Sequence, residues 1–284
     1  MTDTSQLFPG KQFISTVLDA LESKTAMSGA LARVYLMRAA MAGVIIGILY
    51  LADFAVLAVF TEIGGGNFSA LGTIFGSLVF GFALVFIYFS KSELLTSNMM
   101  IVSIGRYYKR ITVLKSLRIL SLCYLGNFLG GLAVALLVWG STLADGAVGD
   151  QLVAASDHKL SYLTEGVTGW TDLFIRAILC NFMINLAMLL VYNGTIKEDF
   201  VKALVMIVAV FIFAFIGFEH SVANTVVFTI VGFQDGIDIG LALGNLAIVL
   251  AGNFIGGGLL IGIYYAYAND AQKHLDRQAR RGHR

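Results

Sequence analysis

Glu93-Leu94-Leu95-Thr96-Ser97-Asn98 and Glu219-His220-Ser221-Val222-Ala223-Asn224 carry one pattern, a glutamate followed five positions later by an asparagine. Thirty-three residues after each glutamate stands a second shared string, Gly126-Asn127-Phe128-Leu129-Gly130-Gly131 and Gly252-Asn253-Phe254-Ile255-Gly256-Gly257. Both pairs lie 126 positions apart, so the two halves keep register through a helix, its interruption and the following helix. Each acidic signature breaks a strongly apolar stretch. A polar break repeated in both halves of a membrane chain points to a solute path near the bilayer midplane.

Only 13% of the 284 residues are charged and 58% are hydrophobic, against roughly a quarter charged in soluble domains. At about 20 apolar residues per crossing, spans fall at 39–60, 63–89, 119–143, 177–195, 203–218 and 239–268. The second is followed by the polar break 90–93 and a short apolar piece, 94–105. The fifth, short for a crossing, is followed by Glu219-His220 and the piece 221–233. The expected fold is an all-α membrane protein of six transmembrane spans, with broken second and fifth helices, in a single channel domain over 1–284. The sole proline is Pro9, so the breaks rest on glycine and polar residues. Cys123 and Cys180 sit in apolar stretches as small hydrophobes, without disulfide or metal-ligand spacing. Neither a cofactor nor a metal is expected.

Orientation follows from the basic residues. The N-terminal segment, the 106–118 and 197–202 loops and the tail hold 16 of the 19, whereas the opposite loops hold only Lys159 and Arg176. Both termini are therefore expected in the cytoplasm, the protein being multi-pass in the plasma (inner) membrane. Three spans per half is an odd number, so the 3+3 repeat would be inverted. In the cytoplasmic region 1–38, residues 11–24 put Phe13, Val17, Leu18 and Leu21 on one face of an amphipathic helix. The tail 269–284 is a cytoplasmic helix or fraying end. No cleavable signal peptide is visible.

Among the polar residues, His220 stands out, because ionisable groups inside a membrane are expensive and usually functional. Glu93 and Glu219, equally deep, need partners, and the freed N–H groups of a half-helix start would supply them. Asn98 and Asn224 would likewise satisfy backbone groups left by the breaks. Thr96 takes the place opposite His220 in the first half, so a hydroxyl and an imidazole would face a permeant oxyanion across a narrow pore. Phe75, Phe80, Phe82 and Leu84 precede one break and Phe211, Phe213, Phe215 and Phe218 the other, and one or two per half would form hydrophobic gates. The glycines near Asn127 and Asn253 suit close helix crossing, with the asparagines as cross-braces. Taken alone, Lys159 reads as a solvated loop charge and Asp53 as interfacial.

Glu93-Leu94-Leu95-Thr96-Ser97, Asp157-His158-Lys159, the string Gly217-Phe218-Glu219-His220-Ser221-Val222-Ala223-Asn224 and Gly252-Asn253-Phe254-Ile255-Gly256-Gly257-Gly258 resemble the formate–nitrite transporter family, most nearly its formate channels. The resemblance covers all six spans and implies a homopentamer of aquaporin-like protomers, each with its own pore. It implies that Thr96 lies in a mobile loop, that His220 is the central pore histidine, and that Lys159 attracts anions in the outer vestibule. It further implies Asn181 as a pore-lining residue, Leu84 and Leu94 as the cytoplasmic constriction, and Phe80 and Phe213 as the periplasmic one. Two residues depart from the family's formate channels: Lys91 stands where glycine is common, and Leu95 where phenylalanine is common and would narrow the pore more.

Expected function follows as passage of small monovalent weak-acid anions, with formate first and nitrite, lactate, hydrosulfide or proton–anion symport as alternatives. The bare ion would pay several kcal/mol at an apolar gate. Protonating a simple carboxylate at neutral pH costs about 4.5 kcal/mol, so passage as the neutral acid competes. Anion, proton, lipid and sister protomers are the expected partners, and nucleic acid is not. An aquaporin-type solute channel would need Asn-Pro-Ala motifs, which Pro9 alone does not supply. An enzyme would need a nucleophile or metal cluster, and histidines at 158, 220, 274 and 283 make no such set.

Overall fold

The computed structural model describes residues 7–63 and 65–275. Its order is α1 (Lys11–Ala30), α2 (Ala32–Ile63), α3 (Ser69–Phe89), α4 (Leu95–Tyr107), α5 (Val113–Trp139), α6 (Ala147–Thr164), α7 (Gly166–Tyr192), α8 (Asp199–Ile216), α9 (Ser221–Gln234) and α10 (Ile239–Asn253). A π-helical stretch (Phe254–Ile263) and a short α11 (Tyr264–Ala268) follow. Six segments are long and apolar enough to cross a membrane: α2, α3, α5, α7, α8, and Ile239–Ala268 taken together. The chain is an all-helical, multi-pass membrane protein.

Several spans extend past the limits that charge alone suggested. The fourth begins at Gly166, because Arg176 and Asp172 neutralise each other one turn apart, Nε to Oδ1 2.9 Å. The first begins at Ala32, with the half-buried Arg38 guanidinium donating to Met27 Sδ instead of ending the helix. The third begins at Val113, where Thr112 Oγ1 accepts the Lys115 N–H as an N-cap. The segment read as an outer loop is largely helix α6. The tail's residues 276–284, and residues 1–6 of the N-terminal region, lie outside the described residues.

The two breaks are built from the same bonds. Asn127 Nδ2 donates to the carbonyls of Ala39 and Glu93, and its Oδ1 accepts the Leu95 N–H. Asn253 Nδ2 donates to the carbonyls of Ala177 and Glu219, and its Oδ1 accepts the Ser221 N–H. The Glu93 N–H goes to Arg38 O and the Glu219 N–H to Arg176 O. Each asparagine thus satisfies the backbone on both sides of a break that helix geometry leaves unpaired. Gly130 and Gly256 are small for a matching reason. A Cβ on either would run into a helix carbonyl, that of Ala40 or that of Ile178.

Correspondence extends upstream as well. α1 packs beneath α2 as α6 packs against α7, so each half holds an amphipathic helix, a span, a broken span with its half-helix, and a closing span. The closing span of the second half differs in winding. Its run Gly256-Gly257-Gly258 sits against Asn181, Asn185 and Ser103 with no room for side chains, and the segment widens into the π-helix.

Candidate functional site

Three cavities follow one another between the breaks. On the α1 side a vestibule of about 250 Å³ is lined by Lys24, Arg38, Lys91, Ser92, Glu93 and Ser97. On the α6 side another, of about 380 Å³, is lined by Tyr50, Asp53, His158, Lys159, Arg176 and Glu219. Between them lies an apolar chamber of about 20 Å³, the size of roughly one water. Leu84, Ile87 and Leu94 wall both the chamber and the α1-side vestibule. Phe80, Phe213 and His220 wall both the chamber and the α6-side vestibule. The Phe80 and Phe213 rings meet edge-on at 6.1 Å, and Phe213 stacks on the His220 ring at 6.0 Å.

Each break carries a buried ion pair. The Lys159 ammonium donates to both oxygens of Glu219, at 3.0 and 2.9 Å, and Asn224 Nδ2 donates to Oε2 at 2.6 Å. Lys24 pairs with Glu93, whose Oε2 also accepts from Asn98 Nδ2 at 3.1 Å. Both carboxylates are therefore held by side chains, and the expected backbone capping by Glu93 and Glu219 does not occur. Asn98 and Asn224 likewise bind the carboxylates rather than the freed backbone, which Asn127 and Asn253 already satisfy. Nor is Lys159 a solvated loop charge. It is buried on α6, its carbonyl braced by Asn245 Nδ2 at 2.8 Å. Burial favours the neutral amine, but the Glu219 carboxylate outweighs it and holds the Lys159 pKa above the ordinary lysine range.

His220 closes the start of α9: its Nδ1 accepts the Ala223 N–H at 3.1 Å. Accepting there leaves the ring proton on Nε2, which stands 3.2 Å from Thr96 Oγ1. Threonine and histidine are therefore in direct contact, with no gap between them for a permeant oxyanion. Thr96 itself is fully buried and lines none of the three cavities.

Asn181, expected on the pore, lies buried between helices. Its Nδ2 donates to Thr96 O at 3.2 Å and Asn253 O at 2.6 Å, and its Oδ1 accepts from Asn185 Nδ2 at 2.7 Å. It ties the two breaks together. Leu95 is buried too and walls none of the three cavities, because its place at the start of α4 is fixed by the bond to Asn127. Lys24 and Arg38 were not singled out from the sequence. The amphipathic helix hid Lys24, which pairs with Glu93 from α1 as Lys159 pairs with Glu219 from α6. Asp53, read as interfacial, lines the α6-side vestibule.

A family model described as formate/nitrite transporter matches residues 11–267. The chain belongs to the formate/nitrite transporter family. The formate channel FocA of Haemophilus influenzae is 33% identical over 220 residues, covering 69% of this chain and 74% of that protein. Among solved structures, an FNT family ion channel superposes with a TM-score of 0.77 at 25% identity, over 91% of this chain and 99% of its own. A pentameric formate channel with formate bound shares the fold, with a TM-score of 0.66 at 24% identity, over 83% and 96%. As a formate/nitrite transporter family member, the chain is a membrane transport protein, and its relatives are channels and transporters rather than enzymes.

Proposed function

We propose that the chain conducts small monovalent weak-acid anions, formate foremost, and that they cross the apolar chamber as the neutral acid. The observation that carries this reading is the pair of charged vestibules separated by an apolar chamber of about 20 Å³. Ionised substrate is drawn to the vestibule cations, but a charge entering the chamber loses its water and meets aliphatic and aromatic walls, with His220 the one polar side chain among them. That desolvation costs several kcal/mol. Protonation costs about 4.5 kcal/mol at neutral pH and less as the pH falls. Neutral passage therefore competes and gains with acidity.

In this reading Lys159 gathers the anion, while Leu84 and Leu94 on one side and Phe80 and Phe213 on the other exclude hydrated ions. His220 offers Nε2–H to a substrate oxygen in exchange for its contact with Thr96, which otherwise holds the ring in place. The imidazole is not the proton source: an imidazolium would place Nδ1–H against the Ala223 N–H it now accepts. Glu93, Glu219, Asn181 and Asn224 shape the breaks.

The proposal extends to a homopentamer, each protomer an aquaporin-like inverted repeat in one domain with its own pore, in the plasma membrane with both termini cytoplasmic. The named relatives and the doubled bond set support it. A proteoliposome panel of formate, nitrite, lactate and hydrosulfide between about pH 5 and pH 8 tests the reading. Formate flux that rises as pH falls and is lost in His220→Ala supports it. Flux independent of pH, or intact in that variant, overturns it, and strict sodium dependence would indicate a coupled transporter.

A further inference from the structure

We propose that Asp53 is the group that hands a proton to the incoming anion in the α6-side vestibule. The inference rests on the neutral-acid reading above. Asp53 lies on α2, half-buried, with its carboxylate in the cavity shared with Lys159. That carboxylate presses on the α3 backbone at Gly76, which leaves room for it by having no Cβ. One turn along α2 from Asp53, the Tyr50 ring lies 5.0 Å from Phe80, a wall of the chamber. Gly76 is one turn from Phe80 on α3. Both helices therefore set Asp53 one turn outside the gate, where an anion waits before losing its water.

Apart from Tyr50, the other titratable groups facing this cavity each have at least one partner. Lys159 and Glu219 hold each other, and Asn224 adds a third donor to that carboxylate. Arg176 donates from Nε to Asp172 and from Nη1 to Gly217 O at 3.0 Å. His158 on α6 is paired with Tyr162, Nε2 to the hydroxyl oxygen 3.2 Å, and His220 spends Nδ1 on its cap. α3 offers only Thr73 and Ser77, and Tyr50 a phenol. Among the described residues, Asp53 has neither a hydrogen bond nor an ion pair.

Chemistry selects the same residue. Proton transfer between two carboxyl groups is close to thermoneutral, because Asp and small carboxylic acids ionise in one range, whereas transfer from an ammonium runs uphill by about 6 units. In the step, the O–H of protonated Asp53 breaks as an O–H forms on the substrate carboxylate. The neutral acid enters the chamber, and the Asp53 carboxylate regains its proton from vestibule water. Lys159 draws the anion without giving up its own proton, since two of its three N–H groups are held by the Glu219 carboxylate.

Formate flux in proteoliposomes holding the full chain tests this with Asp53→Asn and Asp53→Glu. Asn should lower flux roughly tenfold at about pH 7.5, a modest general-acid effect, and by less than about twofold at pH 5, where free acid is about 300-fold more plentiful. Glu should restore the wild-type profile. Unchanged flux in Asp53→Asn overturns the proposal, as does a loss equal at both pH values or one that Glu fails to restore. If wild-type flux itself ignores pH, the neutral-acid reading falls, and that result needs no variant to be seen.

Discussion

Lys91 and Gly217 occupy the same place in the two breaks, 126 positions apart, and both take left-handed backbone, φ 57° and φ 80°. The geometry is a requirement of the break, met once by the residue suited to it and once by a lysine. The Lys91 ammonium lies 4.9 Å over the Tyr88 ring, which offsets part of the strain and keeps a cation at the α1-side vestibule.

Lys91→Gly should therefore raise stability by up to about 1 kcal/mol, since a side chain in that region costs roughly 1–2 kcal/mol and glycine returns some of the gain as unfolded-chain entropy. Gly217→Ala should lower it by about 1 kcal/mol. Thermal unfolding of the purified protein in detergent reads both.

Lys159 and Glu219 should behave as one unit. Lys159→Met leaves a buried carboxylate without its cation, at a cost of about 3–5 kcal/mol. Adding Glu219→Gln should recover most of that loss, and a double-mutant cycle by thermal unfolding measures the coupling.

Acid dependence of transport should not come from Lys159. The Lys159 pKa is raised in the folded protein, so its contribution is fully present below lysine's ordinary pKa and is lost only as pH climbs past it. Melting temperature should thus show no step from Lys159 between about pH 5 and pH 8, while flux over that range changes steeply.

Phe213→Ala should open the chamber towards the α6-side vestibule by removing a ring shared by both. Water entering with the substrate lowers the cost of carrying a charge. Flux should rise at neutral pH, its pH dependence should flatten, and an anion current should appear in planar bilayers.

Much of the fold was legible, because breaks and spans are properties of local sequence. The six crossings follow from apolar length, and the two breaks from the repeated Glu and Asn. Span ends were misplaced where charges are neutralised inside the helix, as with Arg176 and Asp172, since a hydropathy reading treats each charge as exposed. In the site, His220, Phe80, Phe213, Leu84 and Leu94 stand around one chamber. Asn181 and Leu95 do not wall it, because whether a residue faces a pore or a neighbouring helix depends on a rotation that periodicity in an all-apolar span does not record. The partners of Glu93 and Glu219 were hidden for another reason. They come from α1 and α6, 69 and 60 positions away, where a lone lysine on an amphipathic helix looks like any solvated charge.

The central claim is that substrate crosses without its charge. Simultaneous recording of formate uptake, internal pH and membrane current in proteoliposomes tests it most directly. The account predicts one proton entering with each formate, no net current, and a rate that rises as pH falls. Formate entry that carries current and leaves internal pH unchanged would contradict it.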